Sequence, residues 1–572
     1  MQQTPLTSLN LEDLNREELQ ATVERRSREL AVLKLRLNAL APINRCLPPE
    51  VLAEIFLLSL VYAPRLGPPK ECWRVECMRG CLHQRCHPPY AWIRIGHICH
   101  SWRVIALQSA RLWSHIAVTE RTNLDCVEEM LSRSQQAPLV VEVYTKVSTR
   151  TISLSVLVIL AQLRRISSLD LFVPDEIIIK YFTSIQGAAP LLRTLSLDVS
   201  SFGGSSFDLM LPIPRIADRL ERLAIHSQSL AGTQLLVCSS LKHLTMSSVK
   251  STGDLLTALA GATLLQTLDL DLNGRDNDDP DKGSAAIVTL PNLRSLILRG
   301  RTEYCNQFLR HTTFPVTSIL DVRPNPGVGQ CITLISAIAD KINGVGMLGE
   351  PQSFWCLTLT ASADEWLYFA FQGWTTSSMT AVCKVKIELP MSHEYVIQLC
   401  AAVHLSEVSY LQIYRGIDLG RRDWHRVFAQ MEKLETLKVD GAAAKSLADL
   451  LTQRLDGHDI NWQISGESHT NSPRDHLFPG LRNLHLHLVF FRNSPDANEE
   501  WIFLHSLKLT LQMRKSKRAG LTRLTITEAV NFTRKDVDLL EPFVENIDWD
   551  GKEKKMGEGE GEEEPEEEEE EE

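Results

Sequence analysis

Leu265-Gln266-Thr267-Leu268-Asp269-Leu270 is the stretch on which the reading of the fold turns. Its apolar residues occupy the first, fourth and sixth places, and the last pair alternates as one face of a short strand requires. The same template precedes it at Ile166/Leu169/Leu171, Leu192/Leu195/Leu197, Leu220/Leu223/Ile225 and Leu241/Leu244/Met246. It follows at Leu293/Leu296/Leu298, Phe354/Leu357/Leu359, Val382/Val385/Ile387 and Val408/Leu411/Ile413, then at Leu434/Leu437/Val439, Leu481/Leu484/Leu486 and Leu521/Leu524/Ile526. Ile319-Leu320-Asp321-Val322 is a weaker copy. A short strand that buries alternate residues cannot cover its own apolar face, so neighbouring copies must stack and share one core.

The first six copies start 26, 28, 21, 24 and 28 residues apart, within the range of leucine-rich repeats. Asp254 to Leu259 and Lys445 to Leu451 read as helices between strands. Later gaps of 47 and 40 residues imply insertions, among them the polar stretch Ser465 to Asp475. The expected array begins near Ile166 and ends near Ile526, with one strand per copy.

Upstream, the pattern is helical. From Leu9 to Leu40 there is no Gly or Pro, and Val23, Leu30 and Leu37 alternate with Leu19, Leu33 and Leu40 at spacings of three and four. Arg16 and Arg26 fall on the same seam. The segment is either an amphipathic helix docked on its own chain, the simpler expectation, or a short coiled coil. Pro42 ends it. Pro48 and Pro49 then open a second helix, with Leu52, Ile55 and Phe56 assigned to one face. Trp92, Ile95, Ile98, Cys99, Trp102 and Ile105 recur at helical spacing and predict another, and Leu107, Leu112, Trp113 and Ile116 close a small helical domain.

Three segments of this domain carry a resemblance: Ile43-Asn44-Arg45-Cys46-Leu47-Pro48-Pro49-Glu50; Ile98-Cys99-His100-Ser101-Trp102-Arg103 with Ala106-Leu107; and Arg111-Leu112-Trp113. In order and chemistry they resemble the F-box in the form common in fungal F-box-like proteins, over about an eighth of the chain. The resemblance implies that Leu47, Pro48, Leu52, Ile55 and Phe56 dock on the Skp-type adaptor of a cullin-RING ubiquitin ligase, with Ile98, Cys99, Trp102 and Leu107 completing the fold and part of the contact. The chain departs from the compact family pattern by the Cys-rich insertion at residues 63–89.

That insertion holds Cys72, Cys77, Cys81, His83, Cys86 and His87, enough soft ligand for zinc. The spacing Cys-x4-Cys-x3-Cys-x4-Cys lacks a Cys-x2-Cys knuckle, so no metal is expected and the segment is read as a mobile loop. Asp276, Asp278, Asp279 and Asp281 crowd one loop, but Pro280 interrupts it and Asp281 stands where a calcium hand needs Gly. Arg514-Lys515-Ser516-Lys517-Arg518 reads as a solvated basic surface or a nuclear-import patch. Thirteen Cys, an odd number, lie mostly alone in apolar stretches (Cys238, Cys356, Cys383, Cys400), which fits reduced thiols in an intracellular protein.

No phosphate-cradling, dinucleotide or nucleophile-elbow motif is present, so no catalysis and no cofactor are expected. The net charge is −11, yet Glu558 to Glu572 contains 12 Glu and no basic residue, which leaves the rest of the chain close to neutral. Neither nucleic acid nor membrane is therefore an expected partner. Ile152 to Leu163, the most apolar window, falls well short of the roughly 20 residues a helix needs to cross a bilayer. Met1 to Asn10 lacks the features of a secretory signal, which places the protein in the cytoplasm, the nucleus or both.

The fold expected is α/β, a small all-α F-box-like domain followed by a leucine-rich-repeat solenoid, with an N-terminal helix and a disordered acidic tail. Its boundaries are 9–40 for the helix or coiled coil, 43–118 for the F-box-like domain, 135–550 for the array and 551–572 for the tail. The function expected is a substrate-recognition subunit of a cullin-RING (SCF-type) ligase acting on a protein target that the sequence does not name. The alternative is a non-catalytic repeat scaffold outside any ligase.

Overall fold

The computed structural model describes residues 15–61, 90–182, 187–200, 217–226, 239–247, 249, 251–273, 286–325, 331–361, 368–377, 381–390, 392–414, 421–444, 447, 477–492, 503–516 and 518–554. The Cys-rich insertion, the Asp276–Asp281 loop, Cys238, the Ser465–Asp475 stretch, nearly all of the helix expected at 445–451 and the acidic run after residue 554 lie outside these residues. The chain is mixed α/β and divides into two compact units, Met1–Leu230 and Ala231–Glu572.

In the first unit, α1 spans Arg16–Leu40. Asn15 caps it reciprocally: its side chain accepts from the Glu18 amide at 2.9 Å, and the Glu18 carboxylate accepts from the Asn15 amide at 3.1 Å. Ala41, extended ahead of Pro42, stops it. Among the described residues no side chain of α1 is buried, so these residues show no docking of the helix on its own chain. Then come α2 (Pro42–Cys46), α3 (Pro49–Val61), a 3-10 turn (Ala91–His97), α4 (His100–Gln108) and α5 (Ala110–Trp113).

The helix expected across residues 92–105 is therefore two pieces. Cys99, extended at φ −155°, caps α4, and its Sγ accepts from the Trp102 amide at 3.5 Å. A local side-chain acceptor competes with continuation of the helix and wins.

Parallel strands follow: β1 (His115–Thr119), β2 (Leu139–Tyr144), β3 (Ile166–Pro174), β4 (Thr194–Ser200) and β5 (Arg222–His226), with α6 (Leu124–Arg133), α7 (Arg150–Leu160) and α8 (Asp175–Phe182) between them. Ile116, Val141, Leu169, Leu195 and Leu223 align in one row and are all buried. The ladder thus begins two strands before Ile166, where the expected array started. Ile116, grouped with the helical residues from sequence, is in β1.

The second unit contains β6 (His243–Ser247), β7 (Thr267–Leu272), β9 (Ser295–Gly300) and β11 (Ile319–Pro324), with a separate two-residue pair formed by β8 (Val288–Thr289) and β10 (Thr312–Thr313). Leu244, Leu268, Leu296 and Leu320 align in register, so the weak copy at Ile319 is a full member of the ladder. Helices Thr252–Leu259 and Thr302–Arg310 bury Leu255, Leu256, Leu259, Phe308 and Leu309.

The ladder then changes direction. β12 (Cys356–Ala361), β13 (Tyr368–Trp374) and β14 (Val385–Pro390) form an antiparallel meander, yet β14 pairs with β11 and β12 pairs with β15 (Tyr410–Tyr414), both in parallel. Across the sheet the order is β11, β14, β13, β12, β15. One strand per copy in chain order is therefore corrected here.

Val382 shows the consequence. This side chain, three residues ahead of β14, is 74% exposed while Val385 and Ile387 are buried. From β15 the parallel register resumes through β16 (Thr436–Asp440), β17 (Asn483–His487), β18 (Arg523–Thr527) and β19 (Asn546–Trp549), the last lying beyond the expected end at Ile526.

Gly300 ends β9 at φ +118°, and a Cβ there would stand 2.5 Å from the Leu272 backbone carbon. Backbone cannot retreat as a flexible side chain can. Gly300→Ala is expected to cost about 3 kcal/mol or more, read as a lower urea midpoint with an unchanged slope. A midpoint within error of the parent would contradict this register.

Candidate adaptor-binding surface

On α3, the residues facing inward and those facing outward separate cleanly. Leu52 and Phe56, four apart, are 2% and 1% exposed. Phe56 meets the Trp102 ring at 5.1 Å between centroids, and the Trp102 indole donates to Asn44 Oδ1 at 2.6 Å, tying α4 to α2. Trp92 packs edge-on against Trp113 at 5.0 Å, the Trp113 indole donates to the Ala106 carbonyl at 2.9 Å, and the Arg133 guanidinium lies over the Trp113 ring at 4.3 Å. These contacts hold the small helical unit together without using the opposite face of α3.

That opposite face carries Val51 (42% exposed), Ile55 (42%) and Leu58 (53%). Spacings of four and three place them in one stripe, as in helices that lay an apolar face into a partner's groove. Glu54, beside the stripe, pairs with Arg111 of α5 and fixes one flank.

Of the residues the resemblance implies for the adaptor, Pro48 and Ile55 are exposed on or next to α3, and Leu47 is half-buried. Ile98 (60%) and Leu107 (45%) are exposed at the two ends of α4, while Cys99 and Trp102 are half-buried. Leu52 and Phe56 are internal, so Leu52, Ile55 and Phe56 do not share a face, as the spacing 52-55-56 had suggested. Val51 and Leu58 are not among the residues the resemblance implies. The 51-55-58 spacing was visible in the sequence, but two apolar stripes on one helix cannot be ranked without knowing what packs on which.

The exposed strand faces differ between the units. In the second, charges neutralise one another: Arg299 reaches Asp269 at 2.7 Å, Arg323 reaches Asp321 at 2.6 Å, and Lys386 reaches Glu388 at 2.7 Å. In the first, Tyr144 and Phe172 stack at 4.5 Å on adjacent strands, and Phe172 is in register with Asp198. Burial, reinforced by the charge of Asp170, pushes the Asp198 carboxyl up to about 6.

A raised acid binds its proton more tightly in the folded state, so its contribution to stability is fully present below the ordinary carboxylate range, is lost as pH rises to about 6, and changes no further above that. Asp198→Asn is expected to raise the denaturation midpoint at pH 8 and to leave it unchanged below pH 4. A pH-independent difference would contradict the assignment.

Among the described residues, no three His, Cys, Asp or Glu side chains gather as metal ligands, and no helix is long and apolar enough to cross a membrane. Arg514, expected on a solvated surface, is 1% exposed and belongs to the core. No protein-family model matches the chain, and no curated protein matches it.

Proposed function

We propose that the chain is a substrate-recruiting subunit of a cullin-RING ubiquitin ligase, built as an F-box-like domain followed by a leucine-rich-repeat array. The observation that carries the reading is the stripe Val51, Ile55 and Leu58, an apolar helix face that is exposed among the described residues, while Leu52 and Phe56 on the opposite face are buried. The resemblance of residues 43–50, 98–107 and 111–113 supplies the partner, a Skp-type adaptor. The registered parallel strands support the repeat reading, because Leu244, Leu268, Leu296 and Leu320 occupy equivalent places in successive copies. Exposed residues on those strands would meet the target protein.

In this role the chain makes and breaks no covalent bond. It raises the local concentration of target lysines near the transferring enzyme, and the gain is one of effective concentration. The test is co-expression of the full chain with a Skp-type adaptor and a cullin. A single species of equimolar composition on size exclusion is the expected result. Elution of a folded chain apart from the adaptor would leave the non-catalytic scaffold as the better account.

A further inference from the structure

Helix α1 is long, well capped and uncovered. Leu19, Val23, Leu30, Leu33, Leu37 and Leu40 are 40 to 71% exposed, and no residue of the helix is buried. A 25-residue helix that presents six apolar side chains along one seam calls for a cover.

From these contacts we infer that the cover is α1 of a second copy, packed antiparallel, so that the protein is a homodimer through this helix.

The charges choose the orientation. With Val23, Leu30 and Leu37 at a positions and Leu19, Leu33 and Leu40 at d, Arg26 also falls at d, and Glu29 and Arg36 fall at g. A parallel in-register pair would set Arg26 against Arg26 of the other copy inside the seam, a like-charge contact. In the antiparallel pair, a faces d. Leu30 then packs on Leu33 of the second copy and Val23 on Leu40, each twice by symmetry.

Arg26 in that arrangement lies against Leu37, where its stem covers apolar surface and its guanidinium stays in water. It already bonds Glu29 of its own helix at 2.8 Å. Glu29 in turn lies across from Arg36 of the second copy, an attractive pair formed twice. The overlap, residues 23 to 40, is about 27 Å long at 1.5 Å per residue. That is the small end of specific interfaces, so dissociation in the micromolar range is expected.

The experiment is sedimentation equilibrium of the full chain over roughly 1 to 100 µM, which brackets that range. The wild type should dimerise. Leu30→Glu with Leu37→Glu should be monomeric throughout, with unchanged thermal stability, because both side chains are exposed in the single copy. Glu29→Arg and Arg36→Glu should each weaken the dimer about fivefold or more. Combined in one chain they should recover most of the loss, since the antiparallel pair is restored with its signs exchanged.

A monomer at about 100 µM, or a dimer indifferent to the two glutamates, would overturn the proposal. So would a chain in which Glu29→Arg weakens association while Arg36→Glu does nothing, for that is the parallel signature, with Glu29 facing Lys34. Adaptor binding is separate and should survive Leu30→Glu with Leu37→Glu.

Discussion

Val51→Asp with Leu58→Asp is expected to weaken binding of the full chain to a Skp-type adaptor by about a hundredfold or more, with the melting temperature unchanged. Truncating one central apolar side chain in such an interface commonly costs about 2 kcal/mol, or roughly thirtyfold in affinity. Two carboxylates placed in a dry groove would exceed that, because each must be desolvated without a partner. Both positions are at least 42% exposed in the free chain, so the folded unit should not register the change.

Leu52→Ala is the contrasting case. Its side chain is 2% exposed, so the substitution should cost about 2 to 5 kcal/mol of stability and lower adaptor binding only to the extent that the unit unfolds. Unfolding by Val51→Asp with Leu58→Asp, or weaker binding by a fully folded Leu52→Ala, would exchange the two faces of α3.

Arg514→Ala is expected to lower stability by about 3 kcal/mol, read by urea denaturation. The guanidinium is 1% exposed and donates to the Leu477 carbonyl at 3.3 Å, the Phe478 carbonyl at 2.9 Å and the Ala519 carbonyl at 3.1 Å. Burial draws its pKa down to about 10, which leaves it a cation at neutral pH. Removing it takes a charged donor from three carbonyls at once, of which Phe478 keeps the Leu481 amide at 3.2 Å. Arg514→Lys should recover only part of the loss, because one ammonium on a flexible stem cannot span three carbonyls that a planar fork reaches. A change below about 0.5 kcal/mol for Arg514→Ala would place the side chain in solvent.

Much of the strand ladder was legible because its physics is local. Leu268 and Leu270 must both point inward once residues 267–272 form a strand, and the template encodes that alternation. Topology is not local: nothing in Phe354/Leu357/Leu359 or Val382/Val385/Ile387 states that an antiparallel β13 separates the two, and Val382 is the residue whose exposure records it. Arg514 misled for a related reason. In a run of five basic and hydroxyl residues it looks solvated, and two of the three carbonyls that compensate its burial, those of residues 477 and 478, are distant in sequence. On α3 the apolar pattern located the helix, but the choice of inner face depended on Trp102, 46 positions away from Phe56.

The most direct test of the ligase-subunit account is amide hydrogen exchange of the full chain with and without a Skp-type adaptor. The account predicts slowed exchange in 49–61 and 98–108, with the strands of 243–549 unaffected. A stable complex that protects only the strands, or no protection anywhere with the adaptor in excess, would contradict it.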